Sequence, residues 1–382
     1  MVALAIGALL TLGLLQIFAA SSGTAQMQEG LSRVQENGRF AMQYLQRHLS
    51  MVGFMGCGSD GGRMEQASFV NHLAEYDVNV PGGNSVPAGT QYRFQRPLEA
   101  FTAGSAPAPT ELAGIEADLV PGSDVLILRV LSEESVPVIR INRDVMTLSV
   151  DLAATPDFLP DAGNQALFAM QNCRSADVFA GTLAGARLIV DGSAAPNAYM
   201  DPTVTSCGGA GCPWDSRISN ATLNARPLTG GPPRLNAEVH RAEYMALYVK
   251  ERADGVPGLY MSRFGRNNMV LDDPIELVEG VENVQLRFGY DVSVPMDGTV
   301  DEYRTAEDVA AGATDAPTLD QSWRRVLNVR VATLIRSASR AAVNNEERTF
   351  RLLGVDLTRP ADGTMRQVYE TTVALRNRLF NS

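Results

Sequence analysis

Histidine is scarce in this chain of 382 residues: His48, His72 and His240 are the only three. No two of them have the i, i+4 spacing that sets a pair of imidazoles on one helix face. A G-x-S-x-G elbow, a phosphate-cradling P-loop and a dinucleotide fingerprint are missing as well. These absences remove the arrangements on which hydrolases, NTPases and dehydrogenases depend, so neither an enzymatic reaction nor a cofactor is expected. The formal net charge is −11, and phosphate binding needs clustered Lys and Arg, so nucleic acid is excluded as a partner. No repeat of fixed period occurs, which excludes a solenoid or propeller.

Cysteine is sparse too. Cys57, Cys173, Cys207 and Cys212 can pair in three ways, and the sequence does not choose among them. The simplest reading of the short loop Cys207-Gly-Gly-Ala-Gly-Cys212 is a local disulfide, which leaves Cys57 and Cys173 for a second. A metal knuckle is the rival, but no histidine stands at a familiar zinc spacing. Disulfides would place most of the chain in an oxidising compartment such as the periplasm.

Charge is absent from Met1 to Ala20, MVALAIGALLTLGLLQIFAA, where only Thr11 and Gln16 are polar. Such a run is long enough to cross a bilayer, at about 20 residues for the hydrocarbon core. A cleaved secretory signal would show a basic start, yet the first cationic residue is Arg33. Proline is absent from Gln26 to Val52, and Leu31, Val34, Gly38, Ala41, Leu45, His48 and Val52 recur at spacings of three and four. Polar residues fill the other side, and Gly53 follows as a C-cap. The expectation is one continuous helix, roughly 75 to 80 Å long, with a membrane-spanning half at 1–20 and an amphipathic half at 21–53. Its packing spine is Leu31, Val34, Ala41, Leu45 and Val52, and His48 is a spine residue rather than a base.

The pieces LSRVQENGRFAMQYLQRHLSMVGFMGC, GSDVLILRVLS, NCRSADVF, GLYMSRFG, ELVEGVENVQLRFGYD and YETTVALRNRL, in this order, resemble the PilW family of type IV pilus minor pilins. The resemblance implies a pilin-like fold, an inner-membrane single pass with a periplasmic head, and a place at the pilus tip after assembly. The implied partners are other minor pilins, the major pilin and the assembly machinery. The implied role is non-enzymatic priming of the pilus. In that family a Gly-Phe-Thr-Leu-Ile-Glu-Leu signal precedes such a Met-Val-Ala-Leu, and the DNA upstream of Met1 is expected to encode it as the target of a prepilin peptidase. A minor pseudopilin of type II secretion shares this plan, and a secreted hydrolase or binding protein is the alternative of another class.

Beyond Gly53, glycine- and proline-rich loops alternate with short runs of period two: Val125–Leu131, Val136–Ile141, Arg187–Val190, Tyr244–Val249, Gly280–Tyr290, Val326–Ile335 and Thr371–Leu375. The expected class is α+β, a long helix packed on an antiparallel sheet, with residues 54–382 as head and a loop-rich insertion or second lobe around 81–233. Within Asp291 to Glu302, the oxygen ligands Asp297, Asp301 and Glu302 form a weak candidate calcium loop without EF-hand spacing, against the plainer reading of an acidic hairpin turn.

Overall fold

The computed structural model describes residues 2–55, 58–59, 69–71, 93–94, 96–105, 108–109, 112–142, 147–150, 163–171, 176–190, 237–265, 271–311, 316–340 and 346–377. Helix α1 (Val2–Ser50) is followed by β1 (Phe54–Met55), β2 (Gly58–Ser59), β3 (Phe69–Asn71), β4 (Leu98–Thr102), β5 (Asp124–Asn142), β6 (Thr147–Val150) and β7 (Gln165–Gln171). Next come β8 (Ala176–Ala184), β9 (Arg187–Ile189), β10 (Glu238–Glu251), β11 (Pro257–Phe264), β12 (Ile275–Glu279), β13 (Val281–Tyr290) and β14 (Glu302–Arg304). Helices α2 (Ala306–Ala310) and α3 (Ala316–Arg324) then lead to β15 (Val326–Arg340), β16 (Arg348–Leu352), β17 (Val355–Arg359) and β18 (Thr364–Ala374).

The single long helix follows from an uninterrupted run without proline. It stops where Gly53 takes φ 77°, a left-handed conformation that a side chain would strain. Asn377 caps this end from afar, its Nδ2 donating to the carbonyl of Val52 at 3.1 Å and of Ser50 at 3.5 Å. The last turn of the helix is thereby tied to the chain just after β18.

The larger sheet is organised around β5 and β10, which pair antiparallel from Leu126↔Leu247 to Pro137↔Glu238. Along its other edge β10 takes β7 first and β11 afterwards, while the other edge of β5 takes β4 and then β6. Strands β7, β8, β9 and β6 continue in that order, so β5, β6, β9, β8, β7 and β10 close on one another as a ring. Closure gives each of those strands a neighbour on both sides over part of its length. Among the described residues every strand pairing is antiparallel except β3 beside β8. The smaller sheet has the order β14-β13-β15-β18. The hairpin β16–β17 covers part of it, burying Leu352 against Ala332 and Leu334.

The α+β, pilin-like class with a membrane-spanning helical half is therefore corrected. Apart from α1 and two short helices, the described elements are overwhelmingly antiparallel strands, so the chain is largely β. Among the described residues, moreover, no helix is long and apolar enough to cross a membrane. The expectation failed because strand pairing is a long-range property. Strands β4 to β9 lie within the stretch 81–233 that reads as loop-rich, and they join the same sheet as β10 to β12. The runs expected as strands do fall in β5, β9, β10, β13, β15 and β18.

The alternating run of β13 is buried on both faces over part of its length. Val284, Leu286, Phe288 and Tyr290 of β13 are buried as the alternation requires, but Asn283 and Gln285 on the opposite face are buried too. The turn before β5 covers them: Gln285 Nε2 donates to the Gly122 carbonyl at 2.7 Å, and the Val284 amide donates to Ser123 Oγ at 3.0 Å. A polar side chain there faces a partner instead of water.

Candidate assembly interface

Helix α1 has two surfaces of different character. In its C-terminal half Gly30, Val34, Gly38, Ala41, Leu45 and Leu49 are buried at spacings of four and three. They face β15, β18 and β12, in a core that also holds Val329, Val331, Ile335 and Val373. Fully burying each larger side chain contributes about 1.5–3 kcal/mol. Of the expected spine, Val34, Ala41, Leu45 and Val52 are at most 1% exposed, but Leu31 is 39% exposed. At 100° per residue the buried stripe passes through Gly30 at this level, which turns Leu31 away from the head.

Polar stitches fix the register. Asn37 Nδ2 donates to the Glu279 carbonyl at 3.0 Å, and the Tyr369 hydroxyl donates to the Val34 carbonyl at 3.2 Å. Gly38 is required by this approach, since any Cβ there would collide with the Tyr369 ring. His48 Nδ1 lies 3.0 Å from the Tyr44 carbonyl and its ring stacks on Tyr44 at 4.2 Å. Burial pushes its pKa down. It is a packed residue of the spine with no carboxylate at hydrogen-bond distance, not the arrangement of a general base.

In the other half of α1 the described large apolar side chains are exposed. Leu10, Leu12, Leu14, Leu15, Ile17 and Phe18 are between 56% and 75% exposed. These exposed residues surround the axis instead of forming one stripe. Helices apolar all round require an apolar environment on every side.

Two buried polar clusters hold the head together behind this surface. In the first, Asp320 of α3 accepts from Arg93 Nη2 at 2.7 Å and Arg96 Nε at 2.8 Å. Glu99 of β4 accepts from Arg96 Nη1 at 2.5 Å and Arg129 Nη2 at 2.8 Å. Burial pushes the Glu99 carboxyl up, but Arg129 and then Arg96 outweigh it, and its pKa lies below the ordinary value. The second cluster is the joint between the two sheets. There Asp124 accepts from Thr102 Oγ1 at 2.7 Å and from the Leu286 amide at 2.7 Å. Burial raises Asp124 to about 6, and Glu307 adds to the shift.

The candidate calcium residues do not converge. Asp297 accepts from the Thr299 amide at 2.8 Å, Asp301 from the Val292 amide at 2.9 Å, and Glu302 is paired with Arg304 at 2.6 Å. Each carboxylate is spent on the turn itself. Among the described residues no three His, Cys, Asp or Glu side chains are grouped to hold a metal. His240 is buried between the Ser132 carbonyl at 2.8 Å and Gln171 at 3.2 Å. Cys57, Cys173, Cys207, Cys212 and His72 lie outside the described residues. Sequence reasoning missed both polar clusters. The Gly-Ser-Asp at 122–124 was visible as a turn before a strand, whereas nothing local announces that Arg96 meets a carboxylate 224 positions further on.

The described chain is a largely β head carried on one long helix, near whose start six large apolar side chains are exposed. Residues 246–377 match the family PilW, Type IV Pilus-assembly protein W, so this stretch is similar to that family of type IV pilus assembly proteins. The matched stretch runs from within β10 to the Asn377 cap and contains the smaller sheet, β14-β13-β15-β18, together with β12. No curated protein and no solved structure matches the chain.

Proposed function

We propose that this protein is a non-enzymatic minor pilin that primes type IV pilus assembly and sits at or near the pilus tip. The observation that carries the reading is the division of α1 into a half buried on the head and a half with six large apolar side chains exposed. Before assembly the subunit is held at the inner membrane, with the head in the periplasm. During assembly those side chains pack among the corresponding helices of other minor pilins and of the major pilin. Pre-forming that first layer lowers the barrier to a filament, so the contribution is to nucleation and no reaction is involved. The disulfides expected from the four cysteines belong to the same periplasmic setting.

Deleting the gene should abolish or sharply reduce surface pili, scored by electron microscopy with immunoblots for expression. Leu45→Asp, which sets a charge on a position 1% exposed, should mimic deletion. Arg47→Ala, on a side chain 70% exposed, should leave piliation intact. Normal pilus numbers in the deletion strain would overturn the priming role.

A further inference from the structure

The connection from β13 to β14 carries an exposed apolar tip that the reading above leaves unused. Val294 is 86% exposed, Val292 44% and Met296 39%, and Tyr303 on the next strand is 37% exposed. Single exposed apolar residues are ordinary; three within five positions on a fixed loop are not. The loop is held from both ends. Asp291 is fully buried, and its two oxygens accept from the Ser293 and Gly298 amides, each at 2.9 Å. Asp301 accepts from the Val292 amide at 2.9 Å, and Arg325 Nη1 donates to the carbonyls of Asp291 at 3.0 Å and Ser293 at 2.9 Å. The backbone is thus tied down while the apolar side chains point out. A surface ordered in advance loses little entropy when it is covered.

The position and charge of the loop decide what covers it. Strand β13 starts beside Asn37 of α1, whose side chain reaches the Glu279 carbonyl. The end of β13 is level with the end of β18 through β15, since Tyr290 pairs Val326 and Asn328 pairs Ala374. Asn377 there caps α1 at Val52. The loop therefore stands at the end of the head remote from the apolar turns of α1, about 50 Å along the helix axis from Phe18 at 1.5 Å per residue. An environment that holds those turns does not reach it. The exposed carboxylates of the loop are Asp297 and Asp301, with Asp291 buried and Glu302 paired with Arg304, which disfavours anionic lipid. Two copies meeting loop to loop would oppose like charges. What fits is a different protein, with an apolar recess for Val292, Val294 and Met296 and Lys or Arg around its rim.

We propose that the 291–301 loop is the docking site for such a basic-rimmed partner protein. It rests on the pilus-assembly reading only for the cells and the candidate partners used in the test. A photo-crosslinking amino acid is placed at Val292 in the full-length chain in piliated cells, with the same label at exposed Asp356 of β17 as control. The expected result is one adduct from position 292 to another component of the pilus machinery, mapping to a peptide that contains Lys or Arg, and none from 356. Val294→Asp and, separately, the rim reversal Asp297→Lys should each lower the adduct about tenfold, the scale of a lost interface anchor. Val294→Leu should preserve it. Thermal unfolding of the purified full chain in detergent should be unchanged within about 2 °C by Val294→Asp, because the side chain is so exposed.

No adduct at 292, adducts only to lipid or to a second copy, or an adduct undiminished in both variants would overturn the proposal. The two readings separate cleanly. If the Leu45→Asp strain lacks pili while the label at Val292 gives no adduct in the otherwise unaltered chain, or an adduct undiminished by Val294→Asp and by Asp297→Lys, the loop proposal falls and the assembly role stands. Normal piliation in the deletion strain removes the assembly role itself.

Discussion

Gly38 and Asp124 show how single residues set the terms on which this head is built. Alanine stabilises a helix over glycine by about 1 kcal/mol, but at position 38 the added Cβ runs into the ring of Tyr369. That ring cannot swing aside freely, because its hydroxyl is bonded to the Val34 carbonyl and to Gln367. Overpacking of this kind costs about 1–3 kcal/mol, so Gly38→Ala should lower the stability measured by urea denaturation. In a Tyr369→Ala background the same change should become stabilising by about 1 kcal/mol, since only the helix propensity remains. Equal losses in both backgrounds would show that the clash is not the cause.

Asp124 makes stability depend on pH. Its folded-state pKa is raised from 3.8 to about 6, so its contribution is fully present below the unfolded value near 4 and is lost as pH rises through 6. The two-unit shift corresponds to about 3 kcal/mol as an upper bound. His48 and His240 act with the opposite sign. Burial lowers both, so the stability they contribute is present above the unfolded histidine pKa and is lost as pH falls. Asp124→Asn keeps an oxygen for the Leu286 amide and removes the titration. Its stability relative to the parent chain should rise between pH 4 and 7 and then level off, leaving the histidine dependence in place. Parallel curves for the two proteins would refute the assignment.

Among the elements, α3 is short, and its position depends on two contacts. Trp323 packs edge-on against Phe288 with centroids 5.0 Å apart, and Asp320 receives two buried arginines. Removing one member of a buried ion network strands the others, at a cost of about 3–5 kcal/mol. Asp320→Ala should therefore destabilise far more than Asp356→Ala, whose side chain is 60% exposed beside Arg351, as thermal unfolding of both variants would measure. This contrast also shows what was legible beforehand. The spacing of Val34, Ala41, Leu45 and Val52 identified the buried side of α1, because helical periodicity is local and survives in the sequence. The turn chemistry of Gly53 was legible for the same reason. Leu31 was not, since the stripe passes through Gly30, a residue with no apolar side chain to reveal it. Closure of β5, β6, β9, β8, β7 and β10 into a ring was hidden as well: Val138 pairs Val150, whereas Val136 pairs Val239, and nothing in the strand pattern specifies a partner a hundred residues away. The Asp291–Glu302 carboxylates read first as an acidic turn and only weakly as metal ligands. Asp291, Asp297 and Asp301 accept from backbone amides, and Glu302 pairs with Arg304, partners that only the folded turn brings near.

At the scale of the molecule, the free half of α1 and the head behave as separate solubility problems. Leu10 to Phe18 are exposed while the stripe from Val34 to Val52 is sealed, so the apolar turns contribute to association and little to the stability of the head. The polar stitches that hold α1 begin at Val34 and Asn37, beyond the apolar segment. A chain beginning at Gln28 keeps all of them. It should therefore unfold within a few degrees of the full-length protein, while losing the detergent requirement that six exposed apolar side chains impose. Size-exclusion chromatography with and without detergent, alongside thermal unfolding, makes the comparison. If the shortened chain melts much earlier, residues 2–27 support the head directly, and the division of α1 into an associating half and a packed half is wrong. If it remains stable but still requires detergent, the head has a further apolar surface of comparable size. The 291–301 loop, with Val294 86% exposed, is then the first place to look, and adding Val294→Asp to the shortened chain should restore a monomer.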